Sequence, residues 1–188
     1  MNKSAARKML RTRFVGMEAR DEQSKLMCRH ITESDIYKSA GVIGAYMPMP
    51  HEADITPVLQ HVLLQGKSLA LPLCGPGRSM TFHSVKNLNT LQPNAWGIPE
   101  PDPDAPLIPL EDIDLLLVPL EGIDAHGYRL GKGGGYYDRA LQGQTVFTLG
   151  CALSWQWTDE IPRELHDMPL CGCADARGIH IFSNNRQK

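Results

Sequence analysis

The sequence predicts an α/β fold: a single three-layer domain with a mainly parallel sheet between helices. Near-continuous apolar runs such as Asp114-Leu-Leu-Leu-Val118 and Val42-Ile-Gly-Ala-Tyr-Met47 fit strands that are buried on both faces. Helical segments alternate with these runs, the order that builds strand–helix–strand units. A chain of 188 residues is most simply one domain, spanning residues 1–188. Folding at that size buries roughly 70% of the unfolded surface, enough for a continuous apolar core.

Taken in order, Lys3 to Val15 reads as a first helix and Asp21 to Glu33 as a second. The run Val42 to Met47 is a strand closed by Pro48 and Pro50. Thr56-Pro57 starts a helix, with a capping hydroxyl ahead of a first-turn proline, and Gly66 stops it after Gln65. Ser68 to Leu73 is the next strand. Residues 75–111 are crowded with proline and read as loop, with one strand near Met80–His83. A long ordered loop inside a compact domain is usually functional. Asp114 to Val118 is a buried strand, Tyr136 to Leu141 a helix, and Thr145 to Leu149 a further strand.

Composition narrows the function classes. Net charge is -2, with 42% hydrophobic and 21% charged residues, so no global basic field draws the protein to nucleic acid or to an anionic membrane. No apolar run approaches the roughly 18 residues of a membrane span. Five scattered cysteines do not form a secreted disulfide framework, and Cys171-Gly-Cys173 lacks the second ligand pair of a zinc site. The expected location is cytoplasmic. The basic N-terminus has the composition of an organellar transit peptide, but we read it as a basic helix of the mature fold. At 100° per residue, Lys3 and Arg7 share a stripe with Leu10, Phe14 and Met17, so two cations face the body of the protein. They also lie at a helix N-terminus, which disfavours positive charge. An anionic ligand there would remove the conflict.

The densest chemical signal is Arg129-Leu130-Gly131-Lys132-Gly133-Gly134-Gly135-Tyr136-Tyr137-Asp138-Arg139. Its glycines let backbone amides approach a ligand closely, and the following helix aims its unsatisfied amides at the same place. Arg129 and Lys132 add two cations, and together these make a phosphate loop over residues 129–137. It is neither of the commonest kinds. A Walker loop needs Ser or Thr after its lysine, where this chain has Gly133, and the dinucleotide fingerprint would need glycine where this chain has Tyr136.

The string resembles the signature of the 5-formyltetrahydrofolate cyclo-ligases. The similarity extends to its lead-in, Asp114 to Pro119 and Ile123 to Gly127, and to Lys3 and Arg7 in the first helix. It includes Tyr46 to Asp54 with Glu52, the loop Trp96-Gly-Ile-Pro-Glu-Pro101, and the pair His166-Asp167. Agreement is poor in residues 75–92 and after Cys171.

The resemblance implies an enzyme that uses ATP to convert 5-formyltetrahydrofolate to 5,10-methenyltetrahydrofolate, releasing ADP and phosphate. Lys3, Arg7 and residues Arg129 to Tyr137 (with Leu130, Gly131, Gly133, Gly134 and Gly135 among them) would contact ATP, and Arg129 and Lys132 would stabilise the moving phosphoryl group. Met47, Glu52 and Trp96 would hold the folate, joined by Lys132 to Tyr136. Aromatic rings can stack on a flat pterin, and a carboxylate can accept from its amino and ring N–H groups. Asp138 and Asp167 would ligate Mg2+, which takes one or two carboxylates beside nucleotide phosphates. The expected partners are ATP and the folate alone, with no nucleic acid and no membrane, in a monomer or weak dimer. Two other classes fit the loop: a sugar-phosphate isomerase of similar architecture, and a non-catalytic nucleotide- or RNA-binding regulator. The Lys3/Arg7 pair argues against the first, and Asp138 with Glu52 against the second.

Overall fold

The computed structural model describes residues 2–183, so the ends of the expected 1–188 domain lie outside the described residues. Helices α1 (Lys3–Arg11), α2 (Met17–Glu33) and α3 (Asp35–Ser39) precede β1 (Val42–Gly44), α4 (Thr56–Leu64) and β2 (Ser68–Cys74). Short strands β3 (Met80–Val85), β4 (Gln92–Pro93), β5 (Pro99–Glu100) and β6 (Leu107–Ile108) follow. Then come β7 (Leu115–Val118), β8 (Gly122–Ile123), β9 (Arg129–Leu130), α5 (Tyr136–Leu141), β10 (Phe147–Cys151), β11 (Gly172–Asp175) and β12 (Gly178–Ile181).

Eight strands form one sheet in the order β12-β11-β10-β7-β1-β2-β3-β6. Its centre, β11 to β2, is parallel, and β12, β3 and β6 add antiparallel edges. The α/β class and the mainly parallel centre therefore agree with the sequence. Period-two alternation divides β7 between two cores. Leu115 and Leu117 join the cluster under α2 and α4, with Met27, Ile31, Val58 and Leu59. Leu116 and Val118 join the opposite cluster with Leu141 of α5, Phe82 and Ile123.

Several boundaries differ from the sequence reading. The first helix ends at Arg11, not Val15, because the Thr12 hydroxyl turns back onto the Met9 carbonyl at 2.7 Å. Gly16 then adopts φ 113°, a conformation that an L side chain rarely takes, and caps a second helix that begins at Met17, not Asp21. Phe14, expected on the helical stripe, instead stands edge-on to His51 and Trp155. Strand β1 stops at Gly44, and the residues after it turn toward the site. Arg129 and Leu130 are not loop but strand β9, paired with β8, so the free loop is 131–135. The strand expected near Met80–His83 runs to Val85, and the Cys171-Gly-Cys173 segment lies across the start of β11, a wholly buried strand.

Candidate active site

From β1 the chain steps to β2 on one side, whereas β7, β10 and β11 succeed one another on the other. Open α/β sheets collect ligands beyond the strand C-termini at such a reversal. Here the segments leaving β1 and β7 diverge around a cavity of about 520 Å³. Met47, Glu52, Trp96, Arg129, Gly131, Lys132, Gly134, Gly135, Tyr136, Tyr137 and Asp138 all line it. The expected position of Gly131–Gly135, ahead of the helix that carries Asp138, is also observed: Gly135 adopts φ 67° as the N-cap of α5.

A second groove of about 580 Å³ runs along α1, lined by Ser4, Arg7, Lys8, Arg11, Thr12 and Lys132. Among the described residues Lys132 alone belongs to both spaces. Its ammonium lies 2.7 Å from Glu52 Oε1, pairing a 41% exposed side chain with one only 8% exposed. Glu52 Oε2 accepts from the Met49 N–H at 2.8 Å, and the Glu52 N–H returns to the Met49 carbonyl at 2.9 Å. The carboxylate is thereby held in a closed turn with one oxygen toward the cation.

The α1 cations reach different places. Arg7 Nε donates to the Gly131 carbonyl at 2.7 Å, and a Cβ on Gly133 would lie 3.4 Å from its guanidinium carbon. Arg7 thus braces the glycine loop directly. Lys3 bonds to Asp167 Oδ1 at 2.6 Å and Glu164 Oε2 at 2.8 Å. Burial works against its ammonium, but those two carboxylates outweigh it and raise the pKa above the ordinary lysine value. The charge conflict at this helix end is therefore met by Lys3's own protein partners. Asn2 also caps the helix through the Ala5 N–H.

Arg129 is 8% exposed and spans from the Met168 carbonyl to Asp138 Oδ1, both at 2.9 Å. Burial lowers its pKa against the pull of Asp138. Its guanidinium also lies over the Tyr137 ring, 5.8 Å from the centroid. Burial strongly raises the pKa of Tyr137, so the phenol stays protonated, and its oxygen has no hydrogen-bond partner among the described residues. A buried hydroxyl in that condition costs stability unless a ligand meets it. Leu130 points away, into a small core with Ala6, Leu10 and Ile161 that seats α1. Trp96 is 67% exposed at the rim, on a turn fixed by the Asn94 side chain.

The two expected metal carboxylates are both engaged. Asp138 accepts from Arg129 and the Met168 N–H on Oδ1, which leaves Oδ2 as a metal-ligating or accepting oxygen at the cavity wall. Asp167 uses Oδ1 for Lys3 and Oδ2 for the Glu164 N–H at 2.7 Å. It also shares a ligand-sized cluster with Glu164 and His166. Met49, Cys74, Met80, Ile98 and Glu100 complete the cavity and were not singled out in the sequence. Cys74 ends β2 and Met80 opens β3, while Met49, Ile98 and Glu100 lie within segments that carry the resemblance without having been given a role of their own. Burial, with the Glu100 carboxylate beside it, raises the Cys74 thiol to about 11.

A model of the 5-formyltetrahydrofolate cyclo-ligase family matches residues 1–173. This chain belongs to that family. It is accordingly an enzyme of the ligase class. The chain is 28% identical over 173 residues to the mouse 5-formyltetrahydrofolate cyclo-ligase, covering 85% of each. It is 32% identical to the Haemophilus influenzae protein of the same name, covering 71% of this chain and 74% of the relative. Among solved structures, the 5,10-methenyltetrahydrofolate synthetase of Aquifex aeolicus superposes with a TM-score of 0.86 at 30% identity, covering 100% of this chain and 96% of that one. A 5,10-methenyltetrahydrofolate synthetase from Mycoplasma pneumoniae shares the fold, with a TM-score of 0.75 at 21% identity over 94% of this chain and 99% of that one. Among the described residues no helix is long and apolar enough to cross a membrane.

Proposed function

We propose that this enzyme closes 5-formyltetrahydrofolate to 5,10-methenyltetrahydrofolate at the expense of ATP, giving ADP and phosphate. The observation that carries the reading is the pair of spaces joined at Lys132: an apolar cavity with one buried carboxylate, and a groove lined by cations. The first suits a pterin and the second a polyphosphate. Membership of the family supplies the substrate class.

A formamide carbon is a poor electrophile and its oxygen a poor leaving group. Transfer of the γ-phosphoryl group to the formyl oxygen releases ADP and leaves an iminium phosphate. The ten-position nitrogen of the same folate attacks that carbon and gives up its N–H proton to the departing phosphate, the C–O bond breaks, and phosphate leaves with the oxygen. The nucleophile is intramolecular, so no serine or cysteine nucleophile is needed. The raised thiol of Cys74 is in keeping with that.

The chain's own work is positioning and charge stabilisation. Glu52 accepts from the pterin N–H groups, and Trp96 with Met47 walls in the ring. Tyr137 offers its unpaired hydroxyl to the bound folate. Lys132, on the side shared by both spaces, meets the transferring phosphoryl group, and Arg7 with the loop amides holds the remaining phosphates. Arg129 acts at one remove, its guanidinium orienting Asp138 and backing Tyr137. Magnesium bound with ATP would screen phosphate charge, and the carboxylates of Asp138 and Asp167 would hold it, Asp167 in exchange for its bond to Lys3. We take the location as cytoplasmic and the partners as these two small molecules.

Phosphate release that requires both ATP and 5-formyltetrahydrofolate is the direct test. Release with ATP alone, or none with both, would exclude the reading.

A further inference from the structure

Glu52 is held from behind by α2. Arg20, Ser24 and Cys28 follow one another at four-residue spacing, so they lie along one face of that helix. Each binds backbone of the segment after β1. Arg20 Nε donates to the Glu52 carbonyl at 2.8 Å, Ser24 Oγ accepts from the Asp54 N–H at 2.9 Å, and the Cys28 thiol donates to the Asp54 carbonyl at 3.3 Å. All three side chains are buried. Arg20 differs from the others in cost and in reach. A guanidinium on a buried helix face must be fully partnered. Its Nη1 pairs with Asp21 at 2.8 Å while Nε is committed to the loop. Ser24 and Cys28 already fix Asp54; Arg20 alone among the three holds the residue that carries the cavity's buried carboxylate.

We infer that Arg20 is a positioning residue for folate recognition, anchoring the Glu52 backbone so that its carboxylate stays aimed into the cavity. This rests on the reading of Glu52 as a folate contact. Arg20 touches neither substrate, so its effect must pass through Glu52. A residue that only stabilised the fold would affect both substrates, whatever stands at position 52.

The test is a double-mutant cycle with Arg20→Met and Glu52→Gln, measured as KM for 5-formyltetrahydrofolate and for ATP, kcat, and Tm. Arg20→Met keeps the volume and removes the donor. It should raise the folate KM roughly tenfold and leave the ATP KM within about twofold. In the Glu52→Gln background the same change should add less than about twofold, because the group through which it acts is gone. Arg20→Lys, which keeps a donor, should recover most of the folate KM. Ser24→Ala serves as the structural control, lowering Tm without the split between the two substrates. If Arg20→Met does not fold, Arg20→Gln with its shorter reach replaces it in both backgrounds. Equal rises in both KM values, or an undiminished rise in the Glu52→Gln background, would overturn the proposal. An unchanged folate KM in Glu52→Gln alone would remove Glu52 from the folate site, a distinct result that takes this proposal with it.

Discussion

Lys132 is exposed enough to move and close enough to Glu52 to be held, and both properties enter its expected phenotype. On the proposed mechanism, Lys132→Ala should lower turnover by roughly 10²-fold, since it would remove a charge aimed at the transferring phosphoryl group. Its 41% exposed side chain means that Tm should change little. A folded Lys132→Ala enzyme with normal turnover would reduce the lysine to loop surface. Trp96 makes a separate case. It stands 67% exposed at the cavity rim, on a loop whose turn is closed by Asn94 and not by the indole. Trp96→Ala should therefore weaken folate binding by about 1–2 kcal/mol through lost ring contact, with nucleotide binding unchanged in titrations. Equal losses for both ligands would mean that the loop itself had collapsed. Cys74 offers a probe of the same wall. With its thiol raised to about 11, only ~10⁻⁴ of it is thiolate at pH 7, so alkylation of the native protein should be slow there. The rate should climb with pH toward that value, and bound folate should suppress it.

At the scale of elements, α1 is tied down at both ends of its inward face. Ala6 and Leu10 seat it against Leu130 and Ile161, while Arg7 grips the Gly131 carbonyl and Lys3 the Asp167 turn. The sequence made the inward stripe legible through the spacing of Lys3, Arg7 and Leu10. It could not show that Lys3 would meet Glu164 and Asp167, because those residues lie more than 160 positions away and carry little motif of their own. Nor could it show the break at Thr12 to Gly16. Phe14 continues a helical period, and only the tertiary contacts with His51 and Trp155 favour leaving it. Because Arg7 braces the loop and, on the proposed function, would also hold a phosphate, Arg7→Ala should act twice. The ATP KM should rise roughly tenfold against little change for folate. Amide exchange of residues 131–135 should accelerate even without nucleotide. Mg-ATP should increase protection of residues 3–11 in the wild-type protein. If exchange of the loop and the ATP KM both stay as they were in Arg7→Ala, the arginine merely decorates the helix.

For the whole molecule, the parallel centre was readable because strands buried on both faces must be apolar throughout, as Leu115 to Val118 are. The edges were not readable on that ground. β12 is partly exposed and β6 is only two residues long, and even the inner strand β11 beside β12 is built from Gly, Cys, Ala and Asp, which carry no alternation. The site was legible where backbone chemistry demands special residues, at Gly131 to Gly135. It was less legible where residues such as Cys74 and Met80 close the cavity, because strand-end side chains carry no chemical signature. What the structure adds is that the cavity at the reversal and the groove along α1 share one side chain among the described residues. Glu52 Oε1 holds Lys132, and on the proposed function a pterin presenting N–H donors to the same carboxylate would compete for it. Folate binding should then release Lys132 toward the groove along α1. The affinity of a non-hydrolysable ATP analogue should rise about 5–20-fold when folate is bound, equivalent to about 1–2 kcal/mol of coupling. By reciprocity the analogue should raise folate affinity by the same factor. Glu52→Gln weakens the hold on Lys132, so this variant should bind the analogue more tightly than wild type in the absence of folate and gain little when folate is added. Calorimetric titrations in both orders measure all of these quantities. Identical analogue affinities with and without folate in the wild-type protein would show that the two spaces are filled independently, with the Lys132–Glu52 contact incidental to both.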